Sequence, residues 1–163
     1  MNTQTRKLYF LDASALTLLV ENEAGASYRV HRLLRRSGPV KTTWLCVAET
    51  YAVLKRRLIR KTISQDLYHY SIFTLRADID AGKIEVLTAW LEPGARNVDA
   101  GHDVRKFAQR HNLDFSDAIQ VFEIQRGAPA RRTPVLVTCD SGLASAAAAV
   151  GIVVWNPRLM PQP

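Results

Sequence analysis

Residues 7–21 read KLYFLDASALTLLVE, and the two halves of that run follow different periods. Lys7–Leu11 is short, aromatic and aliphatic, the composition of a buried strand. Ser14–Glu21 carries its apolar side chains at helical spacing, and Asp12 stands at the junction. A strand passing through one acid into a helix is the repeating unit of an α/β fold, and the same grammar recurs downstream. Val40–Trp44 reads as a strand ahead of a helix from about Leu45 to Lys61. A helix over Ser64–Ala81, with Asp80–Gly82 near its end, leads to a strand at Ile84–Thr88. Pro93 and Gly94 break the pattern before a helix through about His102–His111, and another is expected from about Asp114 to Gln125. Beyond the turn-rich RGAPARRTP, Val135–Thr138 is a buried strand, Ser141–Val150 an alanine-rich helix and Ile152–Trp155 a last strand, stopped by Asn156 and Pro157. This alternation predicts an α/β fold with a mainly parallel sheet covered on both faces. In such sheets ligand sites form beyond the carboxyl ends of the strands. Asp12 and Asp140 each follow a strand immediately, so both are expected at that edge.

The chain has 163 residues, 47% of them hydrophobic. That length predicts one domain over 1–163, with its core at about 7–156 and enough buried surface to need no staples. Neither a repeat nor a low-complexity tract is present, and disorder is expected only in Met1–Arg6 and in the proline-rich tail after Trp155. No apolar stretch approaches the ~20 residues of a membrane span, and the N-terminus has no signal-peptide core, so a cytoplasmic protein is expected. Cys46 and Cys139 then read as small core residues rather than a disulfide. The net charge of +7 is uneven, because residues 29–61 hold ten Lys and Arg against one acid, Glu49. Such a stretch marks either a solvated helix face or a polyanion partner.

The acids carry the chemistry, and each has a plainer reading beside it. Asp12 and Asp140 precede helices and fit helix N-caps, while Asp114 and Asp117 have the spacing of a capping box. Glu49 is different. On the helix through WLCVAETYAVLKRR it shares a face with Leu45, Ala48, Ala52 and Val53, where a carboxylate needs a partner. Either Arg56 folds back onto it or a cation lies there, and the cation is the favoured reading. Carboxylates converging without enough bases repel one another, and oxygen-only ligands select Mg²⁺ or Mn²⁺ over zinc. His31, His69, His102 and His111 show no metal spacing and read as surface or core residues.

Taken in order, LDASAL, VAETYAVL, LDFSDAIQV and LVTCDSGL resemble the PIN domain, more particularly the VapC-type toxins of bacterial toxin–antitoxin pairs, over about Tyr9–Trp155. The resemblance implies a flattened three-layer α/β/α sandwich, Mg²⁺- or Mn²⁺-dependent endoribonuclease activity on single-stranded or structured RNA, a homodimer and a cognate antitoxin. Asp12, Glu49, Asp117 and Asp140 match the family's four acids, Ser14 the small polar residue after the first and Thr138 the one before the last. The chain is longer than a typical toxin, with extra length near 92–101 and 127–133, and Asp114 is an additional acid.

On this reading Asp12, Asp117 and Asp140 hold the metal directly or through water, and Glu49 binds a second metal or positions the attacking water. Lys55, Arg56, Arg57, Arg60 and Lys61 are expected to track the RNA backbone. Trp44 and Tyr51 are better suited to packing than to stacking on bases. The helix pair after the first strand and the 64–81 helix carry surplus apolar side chains, among them Leu67, Tyr68, Ile72, Phe73 and Leu75, which a dimer would cover. Rival classes fit less well. An aspartyl phosphotransferase lacks its Asp-x-Asp pair because Ser14 takes the second place. A silent RNA-binding relative would have lost an acid, and a PIN-fold RNA-processing protein outside a toxin–antitoxin system is the nearest alternative. A structural protein has no reason to gather acids at one sheet edge.

Overall fold

The computed structural model describes residues 6–21, 23–87, 97–128 and 132–161; the side chains of Arg6, residues 97–102 and Gly127 lie outside that description. The Pro93–Gly94 break, Thr88, the His102 ring and most of Met1–Arg6 therefore fall outside it, as do 92–96 and 129–131 of the extra length.

Five strands form one sheet: β1 (Arg6–Leu11), β2 (Val40–Thr43), β3 (Ile84–Leu87), β4 (Arg132–Val137) and β5 (Val153–Trp155). Their order is β3-β2-β1-β4-β5 and every pair is parallel. The helices are α1 (Ala13–Val20), α2 (Ala26–Arg36), α3 (Trp44–Ile59), α4 (Gln65–Asp80), α5 (Asn97–His111), α6 (Phe115–Gly127) and α7 (Ser141–Ala149).

Strand alternation builds the layers. Tyr9 and Leu11 of β1 and Val135 and Val137 of β4 enter a core with Leu16 and Leu18 of α1, Val30 and Leu33 of α2, Leu54 of α3 and Leu75 of α4. Leu8, Phe10 and Leu136 face the other way, onto Val121 and Ile124 of α6 and Leu143 and Ala147 of α7. A period of two therefore puts one sheet between two helical layers, the α/β/α sandwich expected. α5 lies on α6 through Val104, Ala108, Ala118 and Ile119.

Four boundaries differ from the sequence reading. The hydroxyl of Thr43 accepts from the N–H of Cys46 and caps α3, so Trp44 is helical rather than the end of a strand. α5 begins at Asn97, earlier than about 102. α2, to which the sequence reading assigns no bounds, is buried through Val30, Leu33 and Leu34 at helical spacing, with Arg32, Arg35 and Arg36 exposed. β4 takes in Arg132–Pro134, read from sequence as turn, because these residues pair with Arg6–Leu8. Pro134 is tolerated because β5 joins β4 only from Val135 onward, so the missing N–H costs no ladder bond on that side.

The tail after Trp155 is likewise ordered as far as residue 161. Arg29 donates to the Pro157 carbonyl at 2.6 Å, and the Trp155 indole N–H to the Met160 carbonyl at 3.1 Å. Cys46 is buried, Cys139 is half-buried, and both thiols are free. Among the described residues no helix is long and apolar enough to cross a membrane.

Candidate active site

β1 and β4 lie side by side where the strand order reverses, and their carboxyl ends define the switch point at which α/β sheets place their ligands. Asp12 follows β1 directly and is 4% exposed. Its Oδ1 accepts from the N–H of Ala15 at 2.7 Å and so caps α1. Ser14 Oγ donates to both carboxylate oxygens, at 2.7 and 3.0 Å, and the fully buried Thr138 Oγ1 donates to Oδ2 at 2.5 Å. Each hydroxyl also accepts: Ser14 Oγ, across the strand ends, from the N–H of Cys139 at 2.8 Å, and Thr138 Oγ1, within the segment after β4, from the N–H of Asp140 at 2.9 Å. The two small polar residues thus tie the tip of β1 to the tip of β4 and fix the Asp12 carboxylate between them.

Capping and site-building are not alternatives here. Asp140 accepts from the N–H of Leu143 at 2.8 Å and caps α7, and Asp114 accepts from the N–H of Asp117 at 2.9 Å and from Ser116 Oγ at 2.8 Å, capping α6. Three helices therefore begin at this sheet edge, each with an acid at its N-cap. Asp114, whose role the sequence pattern left open, is a cap whose charge also reaches Asp117 and Glu49.

The acids feel one another. Burial pushes the Asp12 carboxyl up to about 6, with Glu49 adding to the rise, while the bonds from Thr138, Ala15 and Ser14 oppose it. Asp117 is pushed up to about 7, first by burial and then by the charges of Asp114, Asp140, Glu49 and Asp12. Glu49 is raised by desolvation, Asp114 and Asp140, with Arg56 pulling it down. Asp12, Glu49, Asp117 and Asp140 therefore share one electrostatic site, with Asp114 beside them.

Glu49 enters that site for a different reason from the one the sequence suggested. The buried side of α3 is Cys46, Thr50 and Leu54; Ala48, Glu49 and Ala52 are exposed, and Glu49 lines a cleft with Val53 and Arg57 rather than entering a core. The cleft wall still removes enough water to raise its carboxyl.

The donor set suits a hard divalent cation. It is made of carboxylate oxygens, and both nearby thiols are held neutral, Cys46 pushed up to about 12 and Cys139 raised, each chiefly by burial. Among the described residues no three His, Cys, Asp or Glu side chains close on a single point, so the acids form a shared field rather than a full cage.

The basic residues of α3 divide. Arg56 acts on Glu49, and Arg57 is ion-paired with Glu21 at the rim of the cleft. Lys55 lies 5.7 Å from the centre of the Tyr68 ring, away from the acids. Arg60 caps the end of α3 and Lys61 follows with φ 55°. At 1.5 Å per residue Arg60 stands about 17 Å along the axis from Glu49. Tyr51 packs against the core as expected; the Trp44 indole nitrogen is buried and has no hydrogen-bond partner among the described residues. A further cation, Arg158, reaches the same cleft from the C-terminal turn. The sequence carried no signal for it, because it lies past the last strand and meets the site only through tertiary packing.

No protein-family profile and no curated protein sequence matches the chain. Solved structures do match its fold. PAE2754 from Pyrobaculum aerophilum superposes with a TM-score of 0.61 at 20% identity, covering 91% of this chain and 90% of that one. FitAcB from Neisseria gonorrhoeae gives 0.57 at 16% identity, covering 94% and 100%. VapBC-1 from nontypeable Haemophilus influenzae gives 0.50 at 17%, covering 93% and 98%. At these identities what the chain shares with these structures is its fold, the α/β/α sandwich that the PIN-domain resemblance implies.

Proposed function

We propose that this protein is a Mg²⁺- or Mn²⁺-dependent endoribonuclease of the PIN-domain type, acting as the toxin of a toxin–antitoxin pair. The observation that carries the reading is the Asp12 carboxylate, buried at the switch point of a parallel sheet, held by three donors and raised in pKa within a field of further acids. A fold does not need such a centre, since capping alone needs neither the burial nor the crowding.

Asp12, Asp117 and Asp140 are the residues that would hold the cation, which when bound supplies stabilisation of the charge that builds on the phosphate. Ser14 and Thr138 keep Asp12 in one orientation. Glu49, open to solvent on α3 and raised in pKa, orients the attacking water and accepts its proton. Arg56 and Arg57 approach the scissile phosphate from the same helix.

The partners follow from the neighbours and from α4. The FitAB and VapBC structures motivate an antitoxin partner for this chain. The apolar surplus lies on α4, where Leu67, Tyr70 and Phe73 are exposed, and not on α1, which is almost wholly buried. We assign that face of α4 to a homodimer contact.

Purified protein incubated with single-stranded RNA and Mn²⁺ is expected to cleave it, and EDTA or Asp12→Asn is expected to abolish cleavage. Cleavage that survives either treatment would rule out the mechanism.

A further inference from the structure

A cleft of about 250 Å³ opens beside the acids, lined by Ser14, Thr17 and Glu21 of the first helical segment, Glu49 and Arg57 of α3, and Arg158. Its two cations come from distant parts of the chain, and each is held by an acid that follows α1: Arg57 by Glu21, Arg158 by Glu23 through Nε and Nη2 at 2.9 and 2.8 Å.

We infer that Arg57 and Arg158 form a phosphate-binding subsite that seats the RNA backbone next to the carboxylate cluster. The inference deepens the ribonuclease reading and rests on it. Phosphate chemistry fits because a guanidinium presents a planar fork of donors that matches phosphate oxygens two at a time. A backbone drawn toward a cluster of acids also needs positive charge at the entrance, and these are the cations that line this cleft.

The resting ion pairs set what a phosphate must displace. Arg158 and Glu23 form a bidentate fork with side chains 48% and 38% exposed, so a phosphate takes Arg158 in competition with Glu23. Arg158 is not needed to hold the turn it sits on. That turn is fastened independently, by Arg29 to the Pro157 carbonyl, by Trp155 to the Met160 carbonyl, and by the backbone N–H of Arg158 to Asn156 Oδ1 at 2.9 Å. The turn is thus a platform that carries the Arg158 guanidinium, forked onto Glu23, to the rim of the site.

The test measures binding of a fluorescein-labelled oligouridine by anisotropy across a salt series, in an Asp12→Asn background that leaves the RNA uncut. Arg158→Ala is expected to weaken binding severalfold and to flatten the plot of log affinity against log salt by about 0.7, the value of one single-strand phosphate contact. Arg158→Lys is expected to restore the slope but only part of the affinity, because one ammonium replaces a fork. Glu23→Ala, which frees Arg158, is expected to leave binding equal or tighter. If Glu23→Ala and Arg158→Ala weaken binding equally and lower the melting temperature equally, the pair is a staple and the subsite falls. An unchanged slope in Arg158→Ala also overturns it. Failure of the Asp12→Asn parent to bind RNA at all would instead sink the ribonuclease reading beneath it.

Discussion

Asp12 has two oxygens with separate duties. Oδ1 caps α1 and Oδ2 takes the Thr138 hydroxyl, so the choice of substitution decides what an experiment reads. Asn keeps an acceptor for the Ala15 N–H, whereas Ala also removes the cap, a loss that by itself costs about 1 kcal/mol. Thr138 is the sharper probe, because it touches no solvent and serves Asp12 and the N–H of Asp140 together. Thr138→Val keeps the shape and removes both bonds. It should push the Asp12 carboxyl higher still, and ribonuclease activity should fall roughly 10- to 100-fold, as for other residues that orient a metal ligand. Thr138→Ser should recover most of it. A valine variant as active as the wild type would show that the hydroxyl does not position Asp12.

Among the elements, α3 and α4 have opposite faces at stake. α3 buries Cys46, Thr50 and Leu54 and turns Glu49 and Arg57 toward the cleft, which makes it the element that brings acid and base to one edge. α4 buries Ser71 and Leu75 and leaves Tyr70 and Phe73 at 64% and 71% exposure. An exposed aromatic adds little to the stability of its own chain, but a pair of them on one helix favours association. Phe73→Asp is therefore expected to leave the melting temperature of a monomer near its starting value and to convert a dimer to monomer in light scattering. Wild-type protein that is monomeric at micromolar concentration would remove α4 as a dimer face.

For the whole molecule, the acid cluster couples stability to pH and to metal. Asp12 rises from an ordinary 3.8 to about 6 and Asp117 from 3.8 to about 7, so the folded state holds protons that the unfolded chain has released. Below about pH 3.8 both states are protonated and the cluster costs nothing. As pH rises the ionised, desolvated carboxylates destabilise the fold, and the loss is complete above about 7. For Asp12 alone the shift amounts to on the order of 3 kcal/mol. Metal-free protein should therefore melt lower as pH rises from 4 to 7, and Asp12→Asn should flatten that decline and raise the melting temperature at neutral pH. Mn²⁺ at a hundredfold excess over its Kd should add about 2.7 kcal/mol, or roughly 5–10 °C, to the wild type and less to Asp12→Asn. A melting temperature indifferent to millimolar Mn²⁺ would contradict a metal site.

Much of this was legible in the chain itself. Period-two and period-3.6 runs such as KLYFL and SALTLLVE fix strands and helices locally, because side-chain direction depends only on backbone geometry, and a strand followed by an acid at the start of a helix places that acid at the carboxyl edge. The positions of Asp12 and Asp140 follow from that rule, whereas Ser14 and Thr138 are marked by the family resemblance. What sequence leaves open is which surface becomes interior. The apolar stripe of Glu49 looks like core on a helical wheel, yet packing turned Cys46, Thr50 and Leu54 inward and left Glu49 facing the cleft. Arg132–Pro134 look like a loop until β1 offers a partner, and α2 is unremarkable until the sheet covers Val30 and Leu33. Arg158 belongs to the site only because the turn after β5 folds back against Glu23, 135 residues away in the chain. Local periodicity specifies elements; burial and long-range pairing depend on what each element meets, and only the tertiary structure decides that.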